Sequence, residues 1–199
     1  EIEIVINGTL LQLVEIMATW RAAFPEGEAR PVRVLICDAA ANAFPEQFDD
    51  LCQRILDADM PLRPEKINAM VIMDKRFTRE RARKLVAAGF DLFFGLESAA
   101  PRIRKAMKKP GTIDAVREGC LACAAEGLQV APGVIVGWPD ETEEEYYQTV
   151  EFLDWMVSLG NVEGINVTPL RRSDKMMGED LLRDVEGPPS GLTWVGTGA

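Results

Sequence analysis

The chain has 199 residues, 47% of them hydrophobic and 27% charged, with a formal net charge of −10. This balance predicts a single domain with a sizeable core, and its acidity argues against general binding to nucleic acid or to an anionic membrane. Histidine is absent, which excludes Ser-His-Asp triads, Cys-His dyads and histidine-ligated zinc within these residues.

In chain order, Glu1–Ile6 alternates in the manner of a strand but is isolated from the strand–helix pattern of the rest of the chain. Leu10, Leu13, Val14 and Met17 then recur at helical spacing. Val32–Cys37 is the first of five short apolar runs that read as strands buried on both faces; the others are Ile67–Met73, Asp91–Gly95, Leu128–Val136 and Val162–Val167. Helices are predicted between them. One follows Pro45 with Phe48, Leu51, Cys52, Ile55 and Leu56 on its apolar face. Another is capped by Thr78, carries Ala82, Leu85 and Val86, and ends at Gly89. The basic run Arg102–Lys109 reads as the solvated face of a helix, and a further helix runs from Thr112 to Gly127. Thr142 and Glu145 form a capping box, opening a helix with Tyr146, Val150, Leu153 and Val157 on one face. Strand–helix alternation at these spacings gives successive βα units, in an open sheet or a complete or partial barrel. Residues 1–170 are the expected core. From about Arg171 to residue 199 the pattern fades into a partly irregular extension whose end is expected to be flexible.

Four cysteines, Cys37, Cys52, Cys120 and Cys123, do not resemble a secreted disulfide framework. With no bilayer-length apolar run and no signal peptide at the start, a cytoplasmic protein is expected. Cys120 and Cys123 invite a metal or redox reading. However, Val116, Cys120, Cys123 and Gly127 recur at intervals of four, three and four, so both thiols share one helix face and read as core.

Ligands of parallel α/β folds gather at the carboxyl ends of the strands. Those ends carry Cys37-Asp38 with Asn42, then Asp74, then Gly95-Leu96-Glu97-Ser98, then Gly137 to Glu141, and finally Asn166, Thr168 and Arg171-Arg172. Glu97 either caps the next helix or accepts hydrogen bonds from ligand hydroxyls, and Asp38 has the same two readings. Few and scattered aromatics offer no stacking platform for bases.

Taken together, "GLESAAPRIRKAMKKP" and "GLQVAPGVIVGWPDETEEEYYQTVEFL" resemble the radical S-adenosylmethionine (radical SAM) enzymes, closest to the branch that often carries a cobalamin-binding domain upstream. "LICDAAANAFPEQFDDLCQRIL" resembles an earlier strand of that family. The resemblance implies a partial (βα) barrel of five or six parallel strands. It also implies that the Glu97-Ser98 strand end meets the ribose and amino-acid part of S-adenosylmethionine, and that Lys109 meets its carboxylate. The wall beside the adenine would be Gly133, Ile135, Gly137 and Trp138, with Asp38 and Asn42 lining the same mouth. One departure is large. The family's Cys-x-x-x-Cys-x-x-Cys, which holds a 4Fe-4S cluster, occurs nowhere in these residues. The expectation is therefore the core barrel of such an enzyme with its cluster-binding first unit missing or incomplete. The non-methionine start suggests that an upstream cluster-bearing segment belongs to the parent protein. There, cleavage of S-adenosylmethionine at the cluster would start radical chemistry on an unknown substrate, and this chain would be inactive alone. Cobalamin use by the parent stays open. The alternatives are a non-catalytic nucleotide-binding or scaffold domain of the same fold and, last, an unrelated barrel enzyme with Glu97 as general base.

Overall fold

In the computed structural model, residues 2–24, 32–36, 40–59 and 63–170 are described, with side chains from residue 9 onward. The five expected apolar runs form one parallel sheet: β1 (Arg33–Ile36), β2 (Lys66–Val71), β3 (Phe90–Glu97), β4 (Val130–Val136) and β5 (Asn166–Pro169). The spatial order is β1-β2-β3-β4-β5. Every crossover therefore steps to the next strand in the same direction. Crossovers of one hand then place all the helices on one side. That choice, which periodicity left open, gives a curled half-barrel rather than a doubly wound sheet.

The helices are α1 (Ile2–Ala23), α2 (Pro45–Asp57), α3 (Arg79–Ala87), α4 (Pro101–Ala106), α5 (Ile113–Ala125) and α6 (Glu143–Ser158). Between them and the sheet lies one core. Alternate strand residues, Ile67, Ala69 and Val71 in β2 and Phe90, Leu92, Phe94 and Leu96 in β3, are buried in it. They meet Met17 of α1, Phe48 and Ile55 of α2, Leu85 of α3, and Phe152 and Met156 of α6. Each such side chain contributes about 1.5–3 kcal/mol relative to exposure. The residues between them face the concave side. There Met70 is 39% exposed and Leu35 64% exposed.

The helix starts obey the expected caps. Thr78 accepts from the Arg81 amide at 3.3 Å, Thr112 from Ala115 at 3.2 Å, and Thr142 and Glu145 close a reciprocal box.

Four expectations change. Residues 2–6 belong to α1, not to a strand. Nucleation is the costly step of helix formation, so a helix docked through Leu13 and Met17 extends backward at little cost. The fifth strand begins later than its apolar run: Val162 makes an isolated bridge to Val130, and the ladder resumes only at Asn166. On α6 the buried face is Thr149, Phe152 and Met156, while Val157 is 52% exposed, because the cap and the sheet together fix the helix rotation. The basic run is not wholly solvated, since Arg104 is 4% exposed. No described helix is long and apolar enough to cross a membrane. Cys37, Asp38, Arg171-Arg172 and the extension 171–199 lie outside the described residues.

Candidate functional site

On the concave face, near the carboxyl ends of β2 to β5, lies a cavity of about 460 Å³. Register explains its lining. Met70 pairs with Phe93, Gly95 with Gly133, Gly133 with Asn166, and Ile135 with Thr168. Partners in a parallel ladder point to the same face, so all of these residues reach the cavity wall.

The two glycines make room for neighbours. A Cβ on Gly95 would lie 2.1 Å from Glu97 Oε1 and 2.7 Å from Lys109 Nζ, and one on Gly133 would lie 2.8 Å from the Phe93 ring tip. A carboxylate–ammonium pair thus rests over Gly95, with Lys109 Nζ 3.0 Å from Glu97 Oε1. Both partners are about one-quarter exposed, at 23% and 27%. Glu97 reaches this position through a register irregularity between Gly95 and Glu97 and a left-handed φ of 62°. A non-glycine residue there is strained by roughly 1–2 kcal/mol. Lys109 arrives from the other direction. At the end of α4 the Lys109 amide donates to Arg104 O and the Lys108 amide to Lys105 O, with Lys108 at φ 53°. These bonds form a Schellman turn that folds the chain back over the strand end.

Beside the pair sits Arg104, which also lines the cavity although it is 4% exposed. Its guanidinium donates to Leu96 O at 2.8 Å, Ser98 O at 3.2 Å, Pro110 O at 3.2 Å and, more weakly, Gly111 O at 3.5 Å. Nε has no partner among the described residues. Burial lowers the pKa of this guanidinium, and the nearby Glu97 charge opposes the shift.

Of the residues singled out from sequence, Glu97, Lys109, Gly133 and Ile135 come together at the cavity. Others hold its frame. Ser98 is fully buried; its hydroxyl lies 3.1 Å from Thr149 Oγ1 on α6, which also accepts from the Ala99 amide at 3.0 Å. Both ends of the Asn42 amide are engaged by the backbone of Ile72, at 2.8 and 2.7 Å. The amides of Gly137 and Trp138 both donate to Glu141 Oε2, at 3.0 and 3.3 Å, in a turn outside the lining. Asp74 is paired with Arg76 at 2.7 Å. Asn166, Thr168 and Gly95 complete the wall, and all three stand where the strand-end rule directs attention. Arg104 had no such signal, because a six-residue helix gives no face to read.

The three described cysteines, Cys52, Cys120 and Cys123, behave as core. Burial pushes the Cys52 and Cys120 thiols up to about 12 and Cys123 higher still, so they are protonated thiols at neutral pH. Among the described residues no group of three or more His, Cys, Asp or Glu is placed to hold a metal ion. The described side chains therefore do not fit an iron–sulfur cluster. They do fit a zwitterion with an apolar portion: Glu97 and Lys109 offer one charge of each sign, beside Phe93 and Ile135.

Comparisons with known proteins agree with this architecture. Over 65 residues the chain is 38% identical to ribosomal protein uS12 methylthiotransferase RimO of Aeromonas hydrophila, which is 30% of this chain and 14% of that protein. Over 108 residues it is 31% identical to an uncharacterized methyltransferase of Pyrococcus horikoshii, which is 50% of this chain and 23% of that one. These matches span less than a quarter of either relative's length. Among solved structures it is similar to the radical S-adenosylmethionine methyltransferase TsrM of Kitasatospora setae, solved with cobalamin and a 4Fe-4S cluster bound. The TM-score is 0.60 at 16% identity, covering 81% of this chain and 30% of that one, a likeness of fold alone. The model of the radical SAM superfamily matches residues 6–153, about three-quarters of the sequence, and the chain belongs to that superfamily.

Proposed function

We propose that this chain is the S-adenosylmethionine-holding wall of a radical SAM catalytic barrel. The observation that carries the reading is the Glu97–Lys109 pair above Gly95, in the wall of a cavity whose lining is mainly apolar apart from Arg104, Asn166 and Thr168. In this reading Lys109 takes the carboxylate of the ligand's amino-acid part. Glu97 accepts from its ammonium or ribose hydroxyls. Phe93, Ile135 and the close-approach strand at Gly133 face the adenine. Ser98 ties the Glu97 turn to Thr149. When bound at a reduced cluster, S-adenosylmethionine supplies the hydrogen-abstracting chemistry of the superfamily. Because the described cysteines do not fit such a cluster, its ligands would come from elsewhere in a parent protein. Cobalamin is not supported by a likeness at 16% identity.

Titration calorimetry of the chain with S-adenosylmethionine tests the binding claim. Saturable binding is expected, weakened about tenfold by Glu97→Gln, as for loss of a charged hydrogen bond. No binding by the wild-type chain overturns it. A second reading, a binding domain without catalysis, is favoured by the absence of Cys-x-x-x-Cys-x-x-Cys from all 199 residues. Anaerobic iron–sulfur reconstitution of the natural full-length protein separates the two. Formation of 5′-deoxyadenosine on reduction supports the enzyme. Binding of S-adenosylmethionine by a protein that takes up no cluster supports the scaffold.

A further inference from the structure

We infer that Arg104, although it lines the cavity, is a positioning residue that sets the Glu97–Lys109 pair, so that ligand binding depends on a side chain whose terminal nitrogens are committed to the backbone. A buried cation is unfavourable unless its donors are satisfied, and no carboxylate forms an ion pair with Arg104 among the described residues. Its donors go instead to carbonyls of two separate segments. Nη1 holds Leu96 O and Ser98 O, on either side of the left-handed Glu97. Nη2 holds Pro110 O and Gly111 O, just beyond Lys109, whose amide in turn donates to Arg104 O.

The planar fork of a guanidinium suits this span, and a lysine ammonium, a single point with three donors, cannot bridge both segments. A methionine would fill the space without holding either. The Thr149 hydroxyl steadies Ser98 and Ala99 from the helical side but makes no hydrogen bond to the segment after Lys109. Arg104 thus couples a strained strand end to a helix-end turn, and the ion pair forms where the two meet. The ligand arm of the test rests on the S-adenosylmethionine reading; the structural arms do not.

The experiment compares the wild-type chain with Arg104→Lys, and with Arg104→Met where that variant folds. Amide hydrogen exchange is expected to accelerate about tenfold at residues 97–100 and 108–112 in the variants, with α2 and α3 unchanged. Acylation of the Lys109 amine, read by mass spectrometry, should rise several-fold as its partner loosens. S-adenosylmethionine should bind Arg104→Lys about tenfold more weakly, and Arg104→Lys should add no further loss in a Lys109→Met background. That non-additivity is what a merely structural role would not produce. Unchanged exchange at 108–112, uniform acceleration across every strand, or an additive loss in the double variant each overturn the inference. If the wild-type chain binds no S-adenosylmethionine, the functional reading falls, while exchange and acylation still decide the role of Arg104.

Discussion

β3 and β4 lie side by side and leave the sheet in opposite ways. β4 passes into α6 mainly through groups close in sequence, with Arg102 of α4 also reaching Asp140 O and Glu145. Gly137 takes φ 80°, Glu141 accepts from the amides three and four residues before it, and Thr142 and Glu145 cap each other. β3 leaves through Glu97 at φ 62°, and its turn is held from afar: by Thr149, fifty-one residues beyond Ser98, by Arg104, and by the Schellman turn that delivers Lys109. Glycine adopts the left-handed conformation freely, whereas glutamate keeps it only where the surroundings over-determine it. The β4 exit also holds a non-glycine residue in that region, Asp140 at φ 59°, but aspartate tolerates it better than glutamate. The exit at Glu97 is the one that faces the cavity, and the β4 exit builds the helix that steadies it.

The largest effect should come from cutting the long-range support of the β3 exit. Thr149→Val keeps the shape of a 6% exposed residue but strands the Ala99 amide and removes a partner of the Ser98 hydroxyl. Urea unfolding should show a loss of about 2–3 kcal/mol. A change within experimental error would mean that the turn holds itself, and the contrast with β4 would collapse.

Glycine replacements should then split stability from binding. Gly137→Ala forces alanine into φ 80° and should destabilise the chain by about 1–2 kcal/mol, with S-adenosylmethionine affinity unchanged because Gly137 is outside the lining. Gly95→Ala meets first the movable ends of Glu97 and Lys109, so stability should hold while affinity falls about tenfold. The reverse pattern would place the ligand at the β4 exit instead.

The β4 exit was legible in sequence where its bonds span a few residues: the capping box, the proline and the stop after Gly137 are one continuous string, whereas the bonds from Arg102 to Asp140 O and Glu145 gave no such signal. So were the α5 thiols, whose spacing of three turned both into the core. The β3 exit was legible only in part. Glu97 was identified from its place at a strand end, and Lys109 through resemblance. Nothing near Ser98 in sequence predicts its contact with Thr149, and Arg104 looked solvated because its carbonyl partners exist only once the turn has folded. Asn42 shows the same limit, since its amide closes on Ile72, thirty residues away. Periodicity left half-barrel and open sheet undecided; the resemblance pointed to the partial barrel, and the strand order shows it.

The smallest effect, and the one that tests how self-contained the β4 exit is, lies in its two acids. A hydrogen bond from Arg102, aided by those from Thr142 and opposed by burial, holds the Glu145 carboxyl at about 2, against an ordinary value of 4.5. A depressed folded pKa contributes stability above 4.5 that is lost as pH falls from there through about 2. Glu141 shifts the other way: burial raises it, against the hydrogen bonds from Gly137 and Trp138. A raised folded pKa gives a contribution present below the unfolded value and lost as pH rises through the folded one. Opposite slopes should therefore arise from acids four residues apart. Unfolding midpoints measured from about pH 2 to about pH 7 should lose the strongly acidic limb in Arg102→Met and flatten on the mildly acidic side in Glu141→Gln. Both effects should be modest, because Arg102 is 53% exposed and solvent screens the pair. Thr149→Val should instead lower the whole profile without changing its shape, since no titrating group lies in that contact. A profile unchanged by Glu141→Gln would show that its carboxylate is not what closes the β4 turn.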